Sequence, residues 1–174
     1  IGLSDDQMME VCEKVSLGED RVTPANFNSP GQIVFAGTAG AIDRMMILAK
    51  EMGAKLVKKL PMSVPSHCYL MKNAADQLAE ILQNISINKP KIPVIHNVDV
   101  QIYERPDDIK RALIQQLYSP VQWIKTIQTM CERGIDTVIE CGPEKVLTGL
   151  NKRINPNLKL IALSNATVLR RPRN

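Results

Sequence analysis

A single histidine that follows a stiff stretch of chain is the residue of this sequence best suited to chemistry. Residues 60–66 read Leu-Pro-Met-Ser-Val-Pro-Ser and lead directly into His67. The two prolines fix their own φ angles and bias the residues before them towards extended backbone. Imidazole exchanges its proton near neutral pH, and a general base needs a rigid support. His67 is therefore a candidate general base, although a lone histidine after a turn is also typical of a helix start or of the protein surface.

The residues beside His67 do not supply an obvious nucleophile. Ser66 and Cys68 flank it, but side chains adjacent in sequence point apart, and a nucleophile normally comes from a different segment than its base. The sequence also contains no G-x-S-x-G, P-loop, G-x-G-x-x-G or H-E-x-x-H motif. We therefore expect that the sequence supplies a candidate base but no complete catalytic motif and no nucleophile for it.

The composition is that of an ordinary globular protein. Of the 174 residues, 44% are hydrophobic and 23% charged, and no apolar run approaches the roughly 20 residues that span a membrane. The start of the chain has neither the basic residues nor the apolar run of a signal peptide, so we expect a soluble, cytoplasmic protein. The cysteines form no CxxC pair and only two histidines are present, which predicts reduced thiols and no metal site; they are Cys12, Cys68, Cys131 and Cys141.

The charge balance is mildly basic. The formal net charge is +4, and much of the excess lies near the C-terminus at Arg170, Arg171 and Arg173. This favours an acidic partner without requiring nucleic acid. Residues 165–174 form a basic tail that we interpret as a candidate for disorder.

Residues 1–61 have the pattern of a small α/β subdomain. Ser4 and Gln7 form a capping box before a helix expected over residues 5–16. Pro30 and Gly31 occupy the centre of a predicted type II turn between strands at residues 22–27 and 32–36. A second helix over residues 38–53 and a strand over residues 55–60 follow. The order (β)αββαβ predicts a ferredoxin-like fold whose first strand is cut short at Ile1, and we interpret the chain as a fragment.

Residues 62–164 alternate helices with short apolar strands, which predicts a layered α/β structure with a parallel sheet. Its three strands would make only half a sheet and leave an apolar face uncovered. The helices are expected over residues 69–85, from 107 to a break before 120, from 121 to 134, and from 142; the strands are expected at residues 92–98, 137–141 and 159–163.

Four stretches together resemble one family. They are Asn-Phe-Asn-Ser-Pro-Gly-Gln at residues 26–32, Val-Pro-Ser-His at 64–67, Gln-Leu-Tyr-Ser-Pro-Val-Gln-Trp at 116–123, and Gly-Pro-Glu-Lys-Val-Leu-Thr-Gly-Leu at 142–150. They look like the malonyl-CoA:acyl carrier protein transacylases of bacterial fatty-acid synthesis. The resemblance implies a ferredoxin-like small subdomain inserted into an α/β-hydrolase-like acyltransferase subdomain, with the active site in a gorge between the two.

The resemblance also implies roles for four residues. His67 matches the catalytic histidine, which takes the proton of a serine nucleophile, and Gln116 matches the position whose backbone carbonyl accepts the imidazole Nδ1–H. Asn28 matches a polar residue of the gorge, although it would serve equally to hold the hairpin turn. Ser66 occupies a position that tracks acyl selectivity, where its hydroxyl would bond the malonyl carboxylate or cap the next helix. His96, in a predicted strand, is expected to be structural.

The family's serine elbow, oxyanion glutamine and malonyl-pairing arginine have no counterpart here, and we expect them upstream of residue 1. The resemblance implies that the whole protein moves malonyl from coenzyme A to the phosphopantetheine thiol of acyl carrier protein, with no bound cofactor. Its expected partners are malonyl-CoA, acyl carrier protein and a missing N-terminal half, without nucleic acid or membrane. This chain alone is expected to be inactive. The alternative is a non-catalytic module that binds acyl carrier protein.

Overall fold

The computed structural model describes residues 1–163, and the basic tail expected over residues 165–174 lies outside the described residues. The chain divides into two compact units, Ile1–Trp123 and the residues from Ile124 onward. The subdomain boundary expected between residues 61 and 62 stays a prediction. No helix in the described part of the chain is long and apolar enough to cross a membrane.

The first helix, α1 (Asp5–Val15), begins where its capping residues predict. The Gln7 backbone N–H donates to Ser4 Oγ at 3.2 Å, and the Ser4 backbone N–H donates to Gln7 Oε1 at 2.9 Å. This confirms the capping box, which satisfies two of the amides that a helix start leaves open.

The predicted hairpin is also confirmed. Strands β1 (Val22–Ser29) and β2 (Gln32–Gly37) pair antiparallel, with Ser29 opposite Gln32. Pro30 and Gly31 form the connection, and Gly31 has a φ of +68°, as the third position of a type II turn requires. Helix α2 (Ala39–Glu51) follows the hairpin. The core of the first unit lies between α1, the hairpin and α2, and consists of Leu3, Val11, Cys12, Val15, Val22, Ala41, Met45 and Ala49.

Two strands expected from the sequence are not formed in the described chain. Within residues 55–60, only Leu56 pairs, exchanging backbone hydrogen bonds of 2.8 and 3.2 Å with Ile1. Within residues 92–98, the one bridge joins Ile95 to Ile102, and Ile92 is 78% exposed. A strand needs a neighbour along its length, and the described residues supply only isolated backbone contacts beside these segments. The first unit thus keeps the predicted order α1-β1-β2-α2, but the first and the last strand of the predicted (β)αββαβ order are not formed as regular strands.

The helix expected over residues 69–85 starts as a short 3-10 turn, Tyr69–Met71, and continues as α3 (Lys72–Gln83). Helix α4 (Pro106–Gln116) has Pro106 in its first turn, where the missing N–H costs nothing. The two helices pack together and bury Ala75, Leu82, Ile109 and Ala112. Helix α5 (Trp123–Glu132) begins at the end of the first unit, and Gly134, with a φ of +84°, follows it.

The second unit contains two of the three strands of the predicted parallel sheet. Strands β3 (Thr137–Glu140) and β4 (Lys159–Ala162) are parallel, with Thr137 opposite Lys159 and Glu140 opposite Ala162, and α6 (Val146–Ile154) joins them. The helix was expected to open at residues 142–144, and that prediction is wrong. The Glu140 carboxylate fixes the start, because it accepts the backbone N–H groups of Leu147 at 3.0 Å and Thr148 at 2.7 Å.

The described chain is therefore a mixed α/β structure, with its two small sheets in different units. All four cysteines are free. Among residues 1–163, no group of three or more His, Cys, Asp or Glu side chains is arranged to hold a metal ion.

Candidate active site

His67 is attached to the C-terminal end of α4 at two points. Its backbone N–H donates to the Leu117 carbonyl at 3.0 Å, and its ring Nδ1 lies 2.8 Å from the carbonyl oxygen of Gln116. Both carbonyls lie at the end of the helix, where no further helical N–H is available to them. The helix end therefore fixes the histidine backbone and the imidazole ring together.

The contact with Gln116 determines which ring nitrogen carries the proton. A carbonyl oxygen only accepts, so Nδ1 must donate, and the neutral ring then presents Nε2 as a free acceptor. The Gln116 side-chain Nε2 lies 3.4 Å from the same Nδ1 and 3.1 Å from the Ser119 carbonyl. Because Nδ1–H cannot accept, this amide donates to Ser119. The arrangement yields an imidazole in a defined tautomer with one basic nitrogen available.

The backbone of His67 is strained. Its φ is +65°, in the left-handed region that an L-residue enters at a cost of about 1–2 kcal/mol. Such a conformation persists only where the surroundings fix it, and it is often found at functional positions. Here the two carbonyls at the end of α4 supply part of that constraint.

The two residues that flank His67, Ser66 and Cys68, differ in burial and in hydrogen bonding. Cys68 is 1% exposed, its thiol donates to the Pro65 carbonyl at 3.1 Å, and burial raises the pKa of the thiol. A buried, protonated thiol is a poor nucleophile. Ser66 is half-buried, and the N-cap position of the following 3-10 turn is Cys68, so Ser66 does not cap it.

The connection after α4, residues 117–122, links the histidine to the hairpin. Val121 accepts from the Phe27 backbone N–H at 3.0 Å and donates to the Ala25 carbonyl at 2.8 Å, which joins it to β1 in parallel. Asn28 follows Phe27 at an irregularity in the β1–β2 register. Because one short connection bonds to both His67 and β1, Asn28 is held in the same region of the first unit.

The contacts of His96 are with other residues, although the backbone N–H of Gln122 in the 117–122 connection donates to the carbonyl of the neighbouring Asn97 at 2.8 Å. Its ring packs on Tyr103 with 5.5 Å between the ring centroids, and its backbone bonds to Gln101 and Val100 close a local turn. These contacts support the structural role expected for His96.

Sequence reasoning missed Tyr69. Its hydroxyl reaches the carbonyl oxygens of Glu19 at 3.0 Å and Arg21 at 3.2 Å, and the Arg21 guanidinium lies 4.3 Å from the centre of its ring. The partners are about 50 residues apart in the chain, so no local pattern could have revealed the contact.

Comparison with known proteins decides the family. The acyl transferase domain family matches residues 2–158. The malonyl CoA-acyl carrier protein transacylase of Escherichia coli K12 is 47% identical over 169 residues, which cover 97% of this chain. This chain belongs to the malonyl-CoA:acyl carrier protein transacylase family. It spans about half the length of the relatives it matches, 54% in the E. coli case.

Solved transacylase structures agree with the chain along nearly all of its length. The acyl carrier protein S-malonyltransferase of Vibrio cholerae is 50% identical with a TM-score of 0.93, covering 97% of this chain and 55% of that protein. A second malonyl-transacylase, solved in complex with its type II polyketide synthase acyl carrier protein, is 44% identical with a TM-score of 0.94 and covers 97% of this chain and 54% of its own. The described fold is thus about half of a transacylase fold.

Proposed function

We propose that this chain is part of an enzyme that transfers malonyl from coenzyme A to the phosphopantetheine thiol of acyl carrier protein, with His67 as general base and then general acid. The observation that carries the proposal is the 2.8 Å contact between His67 Nδ1 and the Gln116 carbonyl. It leaves Nε2 as the proton acceptor that acyl transfer needs. Family membership supplies the reaction, and the related complex with an acyl carrier protein supports the second substrate.

In the first half-reaction, Nε2 takes the proton of a serine hydroxyl as the serine oxygen attacks the malonyl thioester carbonyl. The tetrahedral oxyanion collapses, the C–S bond breaks, and the imidazolium returns the proton to the departing coenzyme A sulfur. The Gln116 carbonyl keeps the ring oriented through Nδ1–H, in the place that a carboxylate takes in serine hydrolases. In the second half, the phosphopantetheine thiol gives its proton to Nε2 as its sulfur attacks the carbonyl of the serine ester. The acyl C–O bond then breaks, the imidazolium returns the proton to the serine oxygen, and malonyl is left on the phosphopantetheine sulfur.

Ser66 and Asn28 are the proposed substrate-binding residues. Ser66 directly precedes His67, is half-buried and does not cap the turn that follows, so its hydroxyl can serve the malonyl carboxylate. Asn28 is half-buried on β1 close to the connection that bonds to His67. An amide there can donate to and accept from a polar acyl group.

The serine, in this proposal, comes from a further segment that packs on the first unit. Residues 60–64 and 92–94 form no strand and expose several large apolar side chains: Leu60, Met62, Val64, Ile92 and Val94. Ile92 is 78% and Met62 66% exposed, values typical of surfaces that another part of a protein covers. Relatives about twice as long supply enough additional chain to cover them.

That segment would complete the two subdomains expected from the sequence, the ferredoxin-like one and the α/β-hydrolase-like one. The exchange of backbone bonds between Ile1 and Leu56 supports this, because it is where the first and the last strand of the predicted (β)αββαβ order would pair. A cytoplasmic location, and the absence of nucleic-acid and membrane partners, stay predictions.

The test is the intact mass of the chain after incubation with malonyl-CoA, alone and with the remaining part of the E. coli relative as a second polypeptide. We expect no malonyl adduct on the chain alone, because loss of a triad nucleophile removes on the order of 10⁶ in kcat. In the mixture we expect the label on the added polypeptide, and its loss with His67→Ala. A His67-dependent adduct on the chain alone would overturn the assignment of the nucleophile to another segment.

An unlabelled mixture of two folded, associated polypeptides would contradict the enzyme proposal. In that case, binding of this chain to acyl carrier protein, measured by calorimetry, would favour the non-catalytic binding module instead.

A further inference from the structure

The turn after His67 has an anchor of its own outside α4. The two contacts to the end of α4 are made by the His67 backbone N–H and by ring Nδ1. The N–H precedes the N–Cα bond whose φ is strained, and Nδ1 belongs to the side chain. They leave the direction of the following backbone to other groups. The next helical turn, Tyr69–Met71, is a 3-10 turn of three residues, which has poor hydrogen-bond geometry and little stability of its own. The turn runs into α3 at its C-terminal end, so on the side next to His67 a contact from outside the helix would fix its direction.

Tyr69 provides that anchor. Its hydroxyl lies 3.0 Å from the Glu19 carbonyl and 3.2 Å from the Arg21 carbonyl, and its ring lies under the Arg21 guanidinium. The phenol therefore fastens the turn after His67 onto the loop before β1, with the guanidinium covering the ring on one face.

The loop that receives Tyr69 is itself fixed. Arg44 donates to the Asp20 carboxylate at 2.8 Å and to the Val15 carbonyl at 2.8 Å, and the Thr38 hydroxyl donates to the same carboxylate. The Arg21 carbonyl also accepts the Thr38 backbone N–H at 3.2 Å. The phenol thus bonds to a rigid support on the α1–α2 side of the unit, which a mobile loop would not provide.

We propose that Tyr69 is a positioning residue for His67, with Arg21 as its support. The hydrogen bonds from the Tyr69 hydroxyl to the carbonyls of Glu19 and Arg21 keep His67 in its left-handed conformation, with Nδ1–H donating to the Gln116 carbonyl. The inference rests on the proposed function only in taking His67 as the base. Neither Tyr69 nor Arg21 touches the reacting atoms. They affect which nitrogen of the imidazole carries the proton and how the ring is oriented.

The chain contains two histidines, which makes a direct test possible. Long-range ¹H–¹⁵N spectra of the 174-residue chain report, for each ring, which nitrogen carries the proton. In the native chain His67 should be Nδ1-protonated at a pH where it is neutral. In Tyr69→Phe, which removes only the hydroxyl, we expect the Nε2-protonated population of His67 to rise about fivefold, the factor that corresponds to one net hydrogen bond.

The matched control is Tyr103→Phe. The Tyr103 hydroxyl donates to Asp99 at 2.6 Å, and its ring packs on His96, so this variant also removes one phenol hydrogen bond but beside the other histidine. We expect it to shift the His96 signals and to leave the His67 tautomer unchanged. Loss of stability without a positioning role would lower the melting temperature in Tyr69→Phe and leave the His67 tautomer ratio as it is, which would overturn the proposal.

Arg21→Gln keeps the test decisive if Tyr69→Phe does not fold. Arg21 is exposed and its backbone carbonyl remains in the variant, so the fold should persist, and we expect the same change of tautomer at about twofold. An unchanged ratio of the two His67 tautomers in folded Arg21→Gln would then refute the positioning role of Tyr69. The spectra involve no acyl transfer, so a failure of the proposed function would appear in malonyl labelling and not in this measurement.

Discussion

Replacing Glu140 with glutamine should loosen α6, because one carboxylate holds the first turn of that helix. It accepts the Leu147 N–H at 3.0 Å, the Thr148 N–H at 2.7 Å and the Thr148 hydroxyl at 2.6 Å. Glu140→Gln keeps one acceptor oxygen and removes the negative charge that favours a helix N-terminus. Loss of a helix cap costs about 1–2 kcal/mol. We therefore expect the melting temperature to fall by roughly 2–8 °C, the range for a protein of this size.

The effect should depend on pH in a defined direction. Burial by itself would raise the pKa of Glu140, but the hydrogen bonds from Thr148 and Leu147 outweigh it and lower the pKa below the ordinary value of 4.5. A lowered pKa means that the stabilisation is present above about pH 4.5 and is lost as the pH falls through the folded-state pKa. The difference between Glu140→Gln and the native chain should be full at pH 7 and should shrink below pH 4.5.

Thermal unfolding gives the magnitude, and amide hydrogen exchange at Leu147 and Thr148 locates it. The control is Glu144→Gln, which changes the same charge in the exposed loop four residues later, before α6. Its melting temperature should stay within about 1–2 °C of the native value, as for an ordinary surface substitution. Equal losses in the two variants, or a loss in Glu140→Gln that persists undiminished at pH 3, would refute the capping role of Glu140.

Two further pairs of substitutions test the structure: the first pair tests the core of the first unit, and the second tests the hairpin turn of the first unit and α6 of the second. Met45→Ala, at a position 5% exposed in the core, should cost about 2–5 kcal/mol in urea unfolding, whereas Ile47→Ala, 61% exposed on the same helix, should change stability by less than about 0.5 kcal/mol; similar costs would contradict the assigned core. Gly31→Ala should destabilise by about 1–2 kcal/mol because its φ is +68°, and Gly149→Ala, inside α6 with open space at its Cβ, should stabilise by about 0.5–1 kcal/mol. Stabilisation by Gly31→Ala would contradict the described turn, and destabilisation by Gly149→Ala would contradict the described helix.

Features set by neighbouring residues could be predicted from the sequence. Ser4 and Gln7 lie three positions apart and form their capping box within one turn. Pro30 and Gly31 define the turn of the hairpin by their own backbone preferences. In both cases the information that determines the structure lies within a few residues, so a short pattern is sufficient.

Features set by distant residues could not. The segments at residues 55–60 and 92–98 have strand-like composition, but a strand forms only beside a partner, and the described chain offers almost none. The start of α6 followed Glu140, seven residues before Leu147, and not the adjacent Pro143. The contact of His67 with Gln116 spans 49 residues, and only the resemblance to a family implied it. The Tyr69 contact had no signal in the sequence at all.

The most direct test of the central claim is the rate of malonyl transfer to acyl carrier protein by this chain reconstituted with the remaining part of the E. coli relative. His67→Ala should lower kcat by a factor on the order of 10³ or more, because both proton transfers pass through its Nε2. His96→Ala, which removes the other histidine of the chain, should stay within about tenfold of the native rate, since its contacts with Tyr103 and the local turn affect packing alone. Retained transfer in His67→Ala, or an equal loss in both variants, would contradict the role of His67 as the base.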